Sequence, residues 1–189
     1  MIIFRHTFFV LNLYCGHRRT GDIQWHIEFS VTSPSVEVIV LSVDIALDPI
    51  RGDLTREATI LEWVEHIRCH RVINSGGGPP CETWSASRWH EGGPPPLRSM
   101  QNVWGIPNIS RRQSEQVRVG SQLYYALVRL MAEHLRAGTS GWLEHPASPT
   151  WARGAPSSFD WKPMQAIWSA PCAARTDFDQ CEHQDSDTW

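Results

Sequence analysis

Apolar runs one strand long alternate with stretches of helical periodicity along this chain, and that alternation limits the fold more than any other feature. Phe8–Cys15 is a continuous apolar run ended by glycine, the pattern of a buried parallel strand. His17–Ser30 reads as a helix with Ile23 and Ile27 on one face, broken by Ser33–Pro34. Val36–Val43 is rich in β-branched residues and predicts a second strand. After a loop carrying Asp44, Asp48, Pro49, Gly52 and Asp53, Thr55–Cys69 repeats apolar residues at Ile60, Leu61, Val64 and Ile67, a helix with one apolar face. Arg71–Asn74 predicts a short third strand running into Ser75-Gly-Gly-Gly-Pro-Pro-Cys81. Residues 82–109, rich in Gly, Pro, Trp and Ser, read as a long functional loop. Ser110 and Gln113 have capping-box spacing and open a helix to about Ala137, with Val117, Tyr124, Leu127, Val128, Leu130, Met131 and Leu135 on its apolar face and Gly138 as its stop. Gly141–Glu144 predicts a fourth strand, ended by His145–Pro146. Strand–helix alternation of this kind predicts an α/β fold, a Rossmann-like, mostly parallel sheet with helices on both faces. Ligands of such sheets bind outside the carboxyl ends of the strands.

Composition narrows the class further. With 41% apolar and 20% charged residues over 189 positions, the chain suits one globular domain. Its net charge of −3 carries no overall basic signature, so a nucleic-acid contact would need a local patch. The five cysteines, Cys15, Cys69, Cys81, Cys172 and Cys181, are irregularly spaced without a Cys-x-x-Cys pair, which argues against a zinc ribbon or a disulfide framework and for a reducing compartment. The apolar stretch Phe8–Leu13 is far too short to span a bilayer, and no small-residue cleavage site follows it, so neither a membrane anchor nor a signal peptide is expected. An intracellular protein is the expectation.

Chemistry-bearing residues fall at the predicted strand ends. Three glycines and two prolines hold Cys81 at the end of the third strand, where backbone can approach a ligand and the turn is stiff. A reactive cysteine needs positive charge or a helix N-terminus beside it, and Arg88 is the downstream candidate. An incidental cysteine in a tight loop fits the same residues. Asp44 follows the second strand, where an acid can take both ribose hydroxyls of a nucleoside. Asp53 either contacts a ligand or caps the following helix. Glu144 ends the fourth strand.

Gly78-Pro-Pro-Cys81, with Ser85 after it, resembles the proline-proline-cysteine motif of cytosine-C5 DNA methyltransferases. Leu11-Asn-Leu-Tyr-Cys-Gly16 resembles that family's first cofactor motif, with Asn12 where the family has aspartate. Asp44 stands where glutamate is usual, and Gly52-Asp-Leu54 resembles the next motif but arrives before a third strand could fit between. Leu143-Glu-His-Pro146 occupies the place of the family's glutamate motif, keeping Glu144. The resemblance spans Val10 to Pro149 and extends to short methylase-like proteins of mobile elements through His17-Arg-Arg-Thr-Gly21 and Glu82-Thr-Trp-Ser85. Phe178-Asp-Gln-Cys181 is a fainter match to a later strand.

The resemblance implies a catalytic core over residues 1–150 that binds S-adenosylmethionine through Tyr14, Gly16, Asp44, Asp53, Gly78 and Pro79, and an irregular segment over 151–189 that continues the sheet in truncated form. It implies Cys81 as the nucleophile on a flipped cytosine in DNA, with Glu144 gripping the base and Arg88 assisting. Arg111, Arg112 and Arg118 become candidates for phosphate contact, and Trp84, Trp89 and Trp104 either wedge the duplex or pack. The family's later arginine motif and target-recognition region find no counterpart, since Gln116-Val-Arg118 precedes Glu144. A fragment, a degenerate copy, or a half relying on a protein partner for target recognition is therefore expected. Two other functions stay open. One is a relative that binds cofactor or nucleic acid without turnover. The other is an α/β cysteine hydrolase, for which His90 and His145 are the available bases.

Overall fold

A computed structural model describes residues 6–30, 35–147 and 150–177. Four strands, β1 (His6–Leu13), β2 (Val36–Val43), β3 (Val72–Gly77) and β4 (Ser140–Leu143), form one sheet in the order β2-β1-β3-β4. All three pairings are parallel. Four helices accompany them: α1 (Ile23–Ser30), α2 (Glu57–Arg68), α3 (Arg111–Ala137) and α4 (Lys162–Trp168). The α/β class and parallel sheet expected from the alternation are present. No helix of the described residues is long and apolar enough to cross a membrane.

Side-chain alternation sorts the two faces. Leu11 and Leu13 pair in register with Leu41 and Val43, and all four point into one core with Ile60, Val64 and Ile67 of α2 and Leu127, Leu130 and Met131 of α3. Ser42, on the opposite face, hydrogen-bonds with Gln24 of α1 across 2.7 Å. Helices therefore cover both faces unequally, because α1 has no buried residue.

The long helix is terminated as its sequence dictates. Ser110 Oγ accepts from Gln113 N at 3.2 Å, Gln113 Oε1 accepts from Ser110 N at 2.8 Å, and Gly138 closes the helix at φ 67°. Other elements differ from expectation. The first helix starts at Ile23 rather than His17, because Gly16 and Gly21 adopt positive φ and Asp22, paired with Arg18 at 2.5 Å, accepts from Trp25 N at 2.8 Å as the cap. Leu61 is 46% exposed, outside the buried stripe of α2, and Leu135 is 37% exposed, at the edge of that of α3. The segment after residue 150 is not irregular throughout. It contains α4, whose Met164 and Ile167 enter the common core, and no strand occurs among its described residues. Phe178–Cys181 lies outside the described residues.

Candidate functional site

Strand order places the site. The chain runs from β1 outward to β2, then returns to β3 on the other side of β1, so the carboxyl ends of β1 and β3 flank the point where the winding reverses. Crevices at such switch points are where open α/β sheets bind ligands. Leu13 pairs with Gly77, which brings the Tyr14–Gly16 turn beside Gly78, and Gly77 pairs in turn with Leu143, which brings Glu144 alongside.

Cys81 and Glu144 line one pocket of about 440 Å³ with Gly78, Pro79, His145 and Pro146. The sulfur and the carboxylate come from separate strand ends and meet because β3 and β4 are neighbours. The Cys81 carbonyl accepts from the N–H groups of Trp84 and Ser85, each at 2.8 Å, which fixes the turn carrying the thiol. Cys81 is half-buried, and its thiol is pushed up, first by desolvation and further by the Glu144 charge.

The glycines before it divide their work. A side chain on Gly77 would fall on the Leu13 carbonyl, and one on Gly76 would fall on the Trp142 ring. These two make room for the sheet itself rather than for a ligand. Only Gly78 faces the pocket, where a Cβ would stand 3.7 Å from Glu144 Oε2.

Arg88 does not serve the thiol. Its Nε donates to the Glu82 carbonyl at 2.6 Å and its Nη1 to the Pro95 carbonyl at 3.1 Å, so it ties the loop to itself and does not line the pocket. The arginine that organises this region is Arg98, which sequence reasoning missed. It is 1% exposed, donates to Thr83 Oγ1, Ser121 Oγ and the carbonyls of Val103 and Val117, and lies 4.1 Å over the Trp84 ring. Burial lowers its pKa to about 10. Trp84 is accordingly a packing residue, 3% exposed, whereas Trp104 is 59% exposed.

His145 packs edge-on against Trp84, Tyr124 and Phe159, with Nδ1 2.6 Å from Ser158 Oγ. Burial, then the Arg98 charge, lowers its pKa to about 4. His90 stacks on Trp151 at 4.0 Å. Neither imidazole makes a hydrogen bond to the Cys81 sulfur.

The other half of the site surrounds the β1 turn. Asp44 accepts from Gly16 N at 3.0 Å and from Ala46 N at 2.8 Å, stitching the ends of β1 and β2 together while leaving carboxylate lone pairs for a ligand. Apart from its own chain neighbours, no atom lies within 4 Å of where a Gly16 Cβ would be, so space is open beside the turn. Gly52 packs against the Asp44 backbone and so brings Asp53 close. Asp53 Oδ1 accepts from Thr55 N and Oγ1, at 3.0 and 2.6 Å, so it closes a turn, and the N-cap of α2 is Arg56 instead. Tyr14 faces away from the crevice. It has φ 59°, its ring packs on the core, and its hydroxyl donates to the Leu123 carbonyl at 2.5 Å, with burial pushing its pKa upward. Gly16 and Asp44 are thus joined at the ends of β1 and β2, Gly78 lines the Cys81 pocket, Asp53 closes a turn in the neighbouring loop, and the Tyr14 side chain is turned to the core.

Among the proposed phosphate contacts, Arg118 is paired with Glu115 at 2.5 Å and with Gln122 at 2.6 Å. Arg111 and Arg112 are exposed at the start of α3, and Arg112 borders a hollow it shares with Pro80 and Glu82. Among the described residues no group of three His, Cys, Asp or Glu side chains could hold a metal ion, and Cys15, Cys69, Cys81 and Cys172 are free thiols. No family model matches the chain, and neither a curated protein nor a solved structure is similar to it.

Proposed function

We propose that the chain transfers a methyl group to C5 of cytosine in DNA through a covalent adduct on Cys81, and that its sheet is the methyltransferase version of the doubly wound fold. The observation that carries this reading is the shared pocket: Cys81 and Glu144, from two different strand ends, face one cavity beside an open glycine turn. S-adenosylmethionine would lie across Gly16, Asp44 and Gly78 and supply an electrophilic methyl group.

The protein's own residues would act as follows. A cytosine extruded from the duplex enters the pocket. The Cys81 sulfur gives its proton to solvent and adds to C6, forming an S–C6 bond and making C5 nucleophilic. Glu144, gripping the N3 edge, stabilises that adduct electrostatically. C5 would take the methyl group, then lose its proton to solvent as the S–C6 bond breaks and the electron pair returns to sulfur. Arg111 and Arg112 would bear on backbone phosphates beside the Cys81 loop.

One observation favours a second reading, a relative that binds cofactor or nucleic acid without turnover. The thiol is held above its ordinary pKa, and no arginine or lysine lines its pocket. A hydrolase has less support, because His90 and His145 are engaged by Trp151 and Ser158. Incubation with cytosine-containing duplex and methyl-labelled S-adenosylmethionine decides between the first two. Label in cytosine, lost in Cys81→Ala and Glu144→Gln, supports transfer. Cofactor binding by calorimetry with no label transferred supports the second.

A further inference from the structure

The Cys81 pocket has a third wall that belongs to neither strand end. Thr176 and Asp177 line the pocket together with Gly78, Pro79, Cys81 and residues 144–147. The segment 173–177 has no regular structure and also lines a second cavity of about 550 Å³, bounded by Met131, Leu143, Phe159 and Trp168. The two cavities share Glu144, His145, Thr176 and Asp177. Among the described residues few hydrogen bonds hold the segment. Ala173 N donates to the Ala170 carbonyl at 2.9 Å, and beyond that turn its hydrogen bonds among the described residues are those of Arg175 with Asp177, at 2.8 and 3.0 Å. The same Arg175 guanidinium lies 4.7 Å over the Phe159 ring.

We propose that Arg175 is a latch that holds segment 173–177 as a movable wall of the Cys81 pocket, governing access to the thiol. Its planar group makes two bonds at once. It stacks on Phe159, which is anchored on the core, and it grips Asp177, which faces the pocket. The ion pair is not buried, and a segment with so few backbone hydrogen bonds belongs to the low-stability part of a fold. Swinging it outward joins the two cavities and opens the pocket over Glu144. This inference goes beyond methyl transfer, because it concerns the pocket whatever chemistry Cys81 performs.

The test is alkylation of the full chain with iodoacetamide under native conditions, read cysteine by cysteine by peptide mass spectrometry. Cys69, exposed just after α2, and Cys15, half-buried at the β1 turn, serve as internal references. Arg175→Ala and Asp177→Asn should each raise the Cys81 rate about threefold or more with Cys15 and Cys69 unchanged, since local opening is uncoupled from the rest of the fold. Arg175→Lys, which keeps the charge but loses the planar stack, should fall between. An unchanged Cys81 rate in both disrupting variants overturns the latch. So does a Cys81 rise that Cys15 matches, which would mean general loosening. Neither cofactor nor DNA enters the assay, so its outcome is separate from that of the labelling experiment.

Discussion

Arg98 shows what a side chain's neighbours decide and its sequence context does not. It follows three prolines and a leucine inside a segment that reads as loop, and nothing in spacing separates it from Arg88. Only the folded chain shows four carbonyl and hydroxyl acceptors and one indole face converging on it. Arg98→Met would remove a donor from each of those acceptors, and we expect a loss of about 3 kcal/mol in urea denaturation. Cys81 was readable as a candidate because Gly78, Pro79 and Pro80 mark a stiff turn, but its protonation was not. With the thiol pushed up by burial and by Glu144, methyl transfer should rise steadily as pH increases from 7 to 9, as more thiolate forms. A rate independent of pH in that window would argue against Cys81 as the nucleophile.

Elements were readable where their chemistry is local. The Ser110–Gln113 box and Gly138 bound α3 in the sequence as they do in the structure, and Ser110→Ala should cost about 1 kcal/mol, measured by thermal melting. The β-branched run of β2 marked its bounds as well. By contrast β3 reaches Gly77, beyond the Asn74 expected, because its glycines gain strand geometry from β1 and β4 rather than from their own propensity. Helix α4 escaped notice because seven residues with two buried positions offer too little periodicity. Two histidines link elements in a way that makes stability depend on pH. His134 of α3 is hydrogen-bonded to Ser75 of β3 and, at 2.6 Å, to Thr139 just before β4, and burial lowers its pKa to about 4, as it does for His145. Both are neutral when folded and gain protons more readily when unfolded, near the ordinary histidine value of about 6.5. Stability should therefore be fully present above about pH 6.5 and fall as pH drops toward 4. Urea denaturation across that window checks it, and His145→Phe should flatten part of the slope.

At the scale of the whole molecule, strand–helix alternation was enough to predict a parallel sheet, but not its order. The order β2-β1-β3-β4 depends on which strands pair across distant sequence, and it alone makes β3 and β4 neighbours and so joins Cys81 to Glu144. The segment that closes the pocket, near Asp177, carries no pattern that sequence reading could use. The charge of the molecule is close to balanced, so DNA affinity should rest on few contacts. Replacing Arg111 and Arg112 by alanine should weaken duplex binding and reduce the slope of log affinity against log salt by about 2, by analogy with roughly 0.9 for each phosphate contact. The most direct test of the central claim is a duplex carrying 5-fluorocytosine, incubated with the protein and S-adenosylmethionine, digested and mapped by mass spectrometry. Fluorine at C5 prevents the final proton loss, so the expected product is DNA joined covalently to the peptide containing Cys81, and absent in Cys81→Ser. Fully methylated cofactor remaining with no adduct at any cysteine, or an adduct on a cysteine other than Cys81, would contradict it.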